Sequence, residues 1–178
     1  MLGFLYGNFK RKKMSNWLKN IVGPNDVLIV SMEVRKNSSK KEIKKVCRKF
    51  KSKFSREQNL SVLYELGFRD SDLKFKVKFN KNKNRVEGIA KLLNIPSHLI
   101  PKIKDIGFGK GDEILLFYSW KPTYNALQKH FKKKYYPEIH LHKKSGVTMA
   151  VLRKKMGLKF YIDDVEIKMV NSERGIYA

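Results

Sequence analysis

Residues 73–79 read Leu-Lys-Phe-Lys-Val-Lys-Phe, an unbroken alternation of apolar and basic side chains. Successive side chains of a β-strand point to opposite faces of its sheet. The pattern therefore predicts a strand with one face in a core and a lysine-bearing face toward solvent. Two further runs have strand length and strand composition, at residues 26–34 and 113–120, and residues 138–142 predict a short strand.

Helical spacing of apolar residues separates these strands. Ser39 followed by Glu42 fits a capping box, which predicts a helix over residues 40–51 with one apolar and one basic face. A second helix is predicted over residues 55–66, where Gly67 is placed to end it. By the same criteria, the remaining predicted helices cover residues 15–22, 86–93, 122–134 and 147–156, and a hairpin covers residues 159–170. The fold class expected is α+β, with two small α/β lobes, mixed or antiparallel sheets and a C-terminal β-hairpin.

The composition limits what this chain can be. It has 178 residues, 40 Lys and Arg against 16 Asp and Glu, and a formal net charge of +24. Apolar residues make up 42% and aromatic residues 12%, more than a disordered basic tail contains. There is no run of 18 apolar residues, so we expect no membrane partner. The single cysteine, Cys47, excludes an internal disulfide, and no Cys/His spacing suits structural zinc, so we expect no cofactor.

The stretch 129–155 carries nine Lys and Arg against one acidic residue, Glu138, with aromatic and histidine side chains between them. Cations neutralise phosphates, and flat rings stack on exposed bases or riboses, which is the combination that RNA recognition uses. The stretch therefore predicts an RNA-binding surface. The predicted contact residues are Lys132, Lys133, Lys134, Tyr135, Tyr136, His140, His142, Lys143, Lys144, Arg153, Lys154 and Lys155.

Catalysis is the main alternative, because a small metal-dependent endonuclease would also be basic. Such an enzyme needs paired carboxylates for magnesium, and the candidates are Asp70/Asp72, Asp112/Glu113 and Asp163/Asp164. Asp70, Asp112 and Asp163 lie in turn-like stretches, where solvated aspartates are common. His140 and His142 share a strand face but lack further ligands, and the glycine-rich loop at 107–111 lacks phosphate-loop spacing. We therefore expect no catalytic residues, no metal and no small-molecule substrate.

A DNA-binding regulator is the second alternative. The helix pair predicted between residues 40 and 66 could be taken for a helix-turn-helix, but the join from Lys51 to Ser55 contains no glycine.

Three segments, residues 39–43, 62–68 and 171–176, resemble segments of one known family, small-subunit ribosomal protein eight in its divergent organellar form. Ser39-Lys40-Lys41-Glu42-Ile43 resembles that family's Ser-Lys helix start, and residues 62–68, Val-Leu-Tyr-Glu-Leu-Gly-Phe, are similar to its helix end. Residues 171–176, Asn-Ser-Glu-Arg-Gly-Ile, resemble its Ser-Thr-Ser-Lys-Gly-Ile loop. The resemblance implies a two-domain fold and a structural role on ribosomal RNA beside neighbouring ribosomal proteins. It implies RNA contacts from Ser172, Arg174 and Gly175.

The charge distribution and the resemblance together suggest three regions. Residues 1–25 are expected to form a basic N-terminal arm, 26–111 an N-terminal α/β lobe and 112–178 a C-terminal α/β lobe that binds RNA. The function expected is structural RNA binding in a mitochondrial ribosome, with the cytoplasm as the alternative location.

Overall fold

The structure is a computed structural model that describes residues 4–23, 25–105, 107–155, 159–162 and 165–168. These residues form an α+β fold, as predicted. A 3-10 turn at Phe4–Asn8 precedes the first helix. The helices are α1 (Arg11–Ile21), α2 (Lys40–Arg48), α3 (Lys53–Glu65), α4 (Ile100–Asp105) and α5 (Tyr124–Lys132). The strands are β1 (Val27–Glu33), β2 (Leu73–Asn80), β3 (Arg85–Leu92), β4 (Glu113–Trp120), β5 (Tyr135–His142), β6 (Val147–Lys154), β7 (Lys159–Ile162) and β8 (Val165–Lys168).

The strands form two antiparallel three-stranded sheets and a separate hairpin. The first sheet has the order β1-β6-β5, the second has the order β2-β3-β4, and β7 pairs with β8. Pairing crosses the expected lobe boundary at residue 111 twice, because β1 pairs with β6 and β3 pairs with β4. Each sheet therefore combines strands from both sides of that boundary.

The first sheet covers one core with its inner face. Leu28, Val30 and Met32 of β1 point inward together with Ala150 and Leu152 of β6. The same cluster takes in Tyr6, Met14, Leu18 and Val22 from the N-terminal segment and Leu127 and Phe131 from α5. The expected separate basic arm is therefore wrong for residues 6–22, since Tyr6, Met14, Leu18 and Val22 anchor this segment in the core.

The second sheet is covered on one face by α2 and α3. Val46 and Cys47 of α2 pack with Val86 of β3, while Leu60 and Leu63 of α3 belong to a cluster beside them. The alternation of residues 73–79 is confirmed: Leu73 is buried, Phe75, Val77 and Phe79 are partly buried, and the three lysines are exposed. This strand therefore places a row of cations on the opposite face of the sheet.

The helix predicted over residues 86–93 is wrong, because these residues form β3. As the central strand, β3 hydrogen-bonds to β2 and β4 and is buried at five consecutive positions, so it shows no period of two. A bulge between Gly88 and Ile89 disturbs the pattern further. At Gly88 a Cβ would lie 1.9 Å from the ring of Phe117, so only glycine fits this position.

The helix predicted over residues 147–156 is wrong for a similar reason, because residues 147–154 form β6. It is the central strand of the first sheet, with Thr148, Ala150 and Leu152 buried. A short apolar run is compatible with either a helix or a buried strand, and the pairing with β1 and β5 decides between them.

The remaining predicted elements are confirmed with shifted ends. Strand β5 begins three residues earlier than predicted and includes Pro137, which an edge strand tolerates. Ser39 caps α2 as predicted, accepting a hydrogen bond from the backbone N–H of Glu42 at 3.2 Å.

Candidate nucleic-acid interface

A groove of about 790 Å³ lies between the N-terminal segment, the turn joining β2 to β3, and α5. Among the residues that the structure describes, its lining includes eight Lys and Arg side chains and no Asp or Glu. These cations are Lys10, Arg11, Lys12, Lys83, Arg85, Lys129, Lys133 and Lys134. Cations facing one another across a concave surface focus a positive potential there, so the groove attracts anions.

The first wall is the start of α1. Met14 and Leu18 of this helix are buried in the core, which leaves Lys12 exposed at the groove. No side chain caps the N-terminus of α1, and its first turn contains no acidic residue. The backbone N–H groups and the positive end of the helix dipole therefore add to the attraction for phosphate.

The second wall is α5. Thr123 caps the helix by accepting a hydrogen bond from the backbone N–H of Ala126 at 3.4 Å. Because Leu127 and Phe131 are buried, Lys129 and Lys133 lie on the exposed side of the helix. The Nζ of Lys134 donates to Oδ1 of Asn16 at 3.1 Å, which connects this wall to α1.

The third wall is the β2–β3 turn, which carries Lys83 and Arg85. Between them, Asn84 has a φ of 50°, a left-handed conformation that asparagine tolerates better than most residues. The backbone N–H of Lys121 donates to the carbonyl oxygen of Asn84 at 2.9 Å. The turn is thereby fixed against the chain that leads into α5.

Two arginines of the groove lie over aromatic rings. The guanidinium carbon of Arg11 is 4.8 Å from the ring centre of Trp120, and that of Arg85 is 4.2 Å from the ring centre of Tyr118. Arg85 also forms an ion pair with Glu87 at 2.7 Å. Stacking restricts the planar guanidinium groups, so less side-chain entropy is lost when they bind a phosphate.

His130 also lines the groove and carries no charge at neutral pH. Burial, and then the nearby charges of Arg11, Lys133 and Lys134, lower its pKa from 6.5 to about 4. Its Nε2 lies 2.7 Å from the hydroxyl of Tyr6, whose own pKa is raised, chiefly by burial. Tyr6 therefore stays protonated, and its hydroxyl can donate a hydrogen bond to Nε2 of the neutral His130 ring.

The structure divides the predicted contact residues among several places. Lys133 and Lys134 line the groove, while Lys132 is exposed on α5 outside its lining. Tyr135 is only 3% exposed and belongs to the core, so its ring has no face to offer a base. Tyr135 is therefore withdrawn as a contact residue, because β5 directs its side chain inward.

Other predicted residues lie on the first sheet. Tyr136, His140 and Arg153 are exposed on the face opposite the core. Nδ1 of His142 lies 2.8 Å from the hydroxyl oxygen of Ser145, in the β5–β6 turn, where Lys143 and Lys144 are exposed.

Lys154 and Lys155 come at the end of β6. The Nζ of Lys154 donates to the carbonyl oxygen of Val22, and Lys155 lies beside Tyr136. Ser172, Arg174 and Gly175 lie outside the described residues.

Six cations of the groove are not among the predicted contact residues: Lys10, Arg11, Lys12, Lys83, Arg85 and Lys129. The basic run at 10–13 is visible in the sequence, but it predicts a terminal arm and not one wall of a groove. Nothing along the chain indicates that residues 83–85 face α5, because the proximity arises from the arrangement of the two sheets.

The carboxylates considered for a metal have structural partners. Asp70 pairs with Arg56 and accepts a hydrogen bond from the Tyr64 hydroxyl at 2.7 Å. Asp72 accepts the backbone N–H of Arg69 at 2.9 Å. Within the described part of the chain, no group of three or more His, Cys, Asp or Glu is placed to hold a metal ion.

The second candidate pair, Asp112 and Glu113, also has structural partners. Asp112 accepts the backbone N–H of Gly109 at 2.7 Å, which closes the glycine-rich turn, and Glu113 pairs with Lys76 and Lys78. Asp163 and Asp164 lie outside the described residues.

Comparison with models of protein families gives no match, and comparison with curated proteins gives none either. Among the helices that the structure describes, none has the length and apolar character needed to cross a bilayer.

Proposed function

We propose that this protein binds RNA as a structural, non-catalytic component of a ribonucleoprotein particle. The groove carries the proposal, because eight cations face a common space there and its described lining contains no acidic residue. A merely solvated basic surface would not need three separate segments of the chain to converge on one concavity.

RNA is favoured as the polyanion because the groove combines cations with rings. Phe9 is 50% exposed beside Lys10, and Tyr118 lies under Arg85. Irregular RNA offers both phosphates and accessible bases or riboses to such a surface. The particle we propose is the mitochondrial ribosome, with ribosomal RNA and neighbouring ribosomal proteins as partners. The resemblance to small-subunit ribosomal protein eight supports this choice.

Neutralising phosphates releases counterions, so affinity should fall steeply with salt. The slope of log K against log salt is about −0.9 for each phosphate neutralised on a duplex. Changing Lys10, Lys12, Lys129 and Lys133 together to alanine should weaken binding of an RNA hairpin at least tenfold. The slope should become shallower by up to about four units.

The matched control changes the four exposed lysines of α2 to alanine: Lys40, Lys41, Lys44 and Lys45. It removes the same charge from the protein as the groove variant. Both variants are titrated with an RNA hairpin, and with a DNA hairpin of equal length, over a range of salt. If the control weakens RNA binding as much as the groove variant, binding follows net charge and the groove is not the site. A protein that stays soluble when ribosomal subunits are sedimented at low salt would exclude the ribosomal role.

A further inference from the structure

The first sheet has a second face, which is opposite the core. Its side chains come from alternate residues of the three strands, and the register places Val27, Arg153 and Tyr136 in one row across them. The next rows are Ile29 with Val151 and Glu138, Ser31 with Met149 and His140, and Glu33 with Val147 and His142. We call this set the outer face of the first sheet.

The outer face is apolar at its centre and open to solvent. Tyr136 is 58% exposed, Val27 49% and Met149 45%, and the side chain of Arg153 is 60% exposed. Ile29 and Val151, in the row between those of Val27 and Met149, are partly buried. Exposed apolar side chains grouped on one sheet face mark a binding surface more often than isolated ones do.

This face is continuous with the groove. The backbone N–H of Lys155 donates to the carbonyl oxygen of Lys134 at 3.1 Å, and Lys134 lines the groove. The Nζ of the same Lys155 lies 5.4 Å from the centre of the Tyr136 ring. Lys134 and Lys155 therefore form a short basic bridge from the groove to the first aromatic ring of the outer face.

The acidic residues on the face are paired with cations. Glu33, at one edge, pairs with Lys49 and with Lys121. Glu138, at the other edge, lies 2.9 Å from Nε2 of His140 and 3.9 Å from an Nη atom of Arg153. Lys49 and Lys121 offset the charge of Glu33, and Arg153 offsets part of the charge of Glu138.

We propose that the outer face binds unpaired nucleotides of the RNA whose folded part lies in the groove. This inference rests on the proposed function and names its substrate class, a folded RNA element with an adjoining single-stranded segment. Bases in a duplex are stacked on one another and cannot lie on Tyr136. Unpaired bases can stack on its ring and cover the apolar floor, while Lys155 and Arg153 lie near the phosphates.

The test uses three RNAs: a hairpin, the same hairpin extended at one end by a tail of six unpaired nucleotides, and the six nucleotides alone. A 2-aminopurine in the tail reports stacking through its fluorescence. We expect the tail to strengthen binding to the unchanged protein about fivefold or more, and its fluorescence to be quenched on binding. Tyr136→Leu should abolish the gain and the quenching while leaving the affinity for the bare hairpin unchanged.

Two controls keep the test specific. Tyr136→Phe retains the ring and should retain most of the gain from the tail, whereas Phe54→Leu changes an exposed ring on α3 and should have no effect. If the hairpin binds but the tail adds nothing, the inference is overturned and the proposed function stands. The inference is also overturned if the tail still strengthens binding to the Tyr136→Leu variant as much as it does for the unchanged protein. If no RNA binds in a salt-dependent manner, the proposed function fails first.

Discussion

The Nη2 of Arg35 donates a hydrogen bond to Oδ1 of Asn84 at 2.8 Å, and so joins the end of β1 to the turn between β2 and β3. Nε of the same side chain donates to the carbonyl oxygen of Lys121 at 2.7 Å, and Nη1 donates to that of Asn37 at 2.8 Å. The guanidinium also lies over the ring of Phe79. Arg35 is 2% exposed and connects the two sheets next to the groove.

Arg35→Met should therefore lower the free energy of unfolding by about 3 kcal/mol, because it removes the donor from one buried and two partly buried oxygens. A denaturant melt measures the change. Arg48→Met, at an exposed position of α2, is the matched control and should stay within about 0.5 kcal/mol of the unchanged protein. Equal effects of the two substitutions would show that Arg35 does not join the sheets.

The two faces of β2 should respond differently to truncation. Phe75→Ala removes a ring packed against the core cluster of α3 and should lower the free energy of unfolding by about 3 kcal/mol. Lys76→Ala removes an exposed lysine that pairs with Glu113 at 3.2 Å, and should change it by no more than about 0.5 kcal/mol. Similar midpoints and slopes for both variants in urea would contradict the orientation of the strand.

His130 should make stability depend on pH in an acidic window. Its pKa is lowered to about 4 in the folded protein from 6.5, so between these values the unfolded chain binds a proton that the folded chain does not. The contribution is fully present above pH 6.5 and is lost as the pH falls toward 4. At the acid end, the loss amounts to up to about 3 kcal/mol of the free energy of unfolding.

The measurement compares unfolding at pH 7 and pH 4.5 for the unchanged protein, His130→Gln and His98→Gln. We expect His130→Gln to lose part of the pH dependence, and His98→Gln, at an exposed position, to keep it. An NMR titration that places the His130 ring near 6.5 would contradict the assignment.

Glu138 should weaken RNA binding, because it is the carboxylate nearest to Arg153 on the outer face. Glu138→Gln removes this negative charge and releases Arg153 and His140 from their pairing. At low salt it should strengthen binding of the tailed RNA by about two- to fivefold, and the gain should shrink as salt screens the charges. Glu65→Gln, at an exposed position of α3, is the control. An equal gain from both changes would indicate a general charge effect.

Features that depend only on neighbouring residues can be predicted from the amino-acid order. The alternation of Leu73 to Phe79 is enough to predict β2 and its lysine face, because side-chain direction in a strand follows position alone. Ser39 with Glu42 predicts the start of α2, since the cap is formed within four residues. The net charge of +24 predicts a polyanionic partner whatever the fold, and that stays a prediction.

Features that depend on residues far apart in the chain follow from how the two sheets pack and pair. Residues 86–92 and 147–154 show local patterns that predict helices, but both segments form central strands. In β3 the continuous burial removes the period of two, and in β6 the pairing with a strand on each edge outweighs the local pattern. Tyr135 and Tyr136 are adjacent in sequence, yet one lies in the core and the other on the outer face, because successive residues of β5 alternate. Lys10, Arg85 and Lys133 meet in one groove because the two sheets bring their segments together, a proximity that no spacing along the chain encodes.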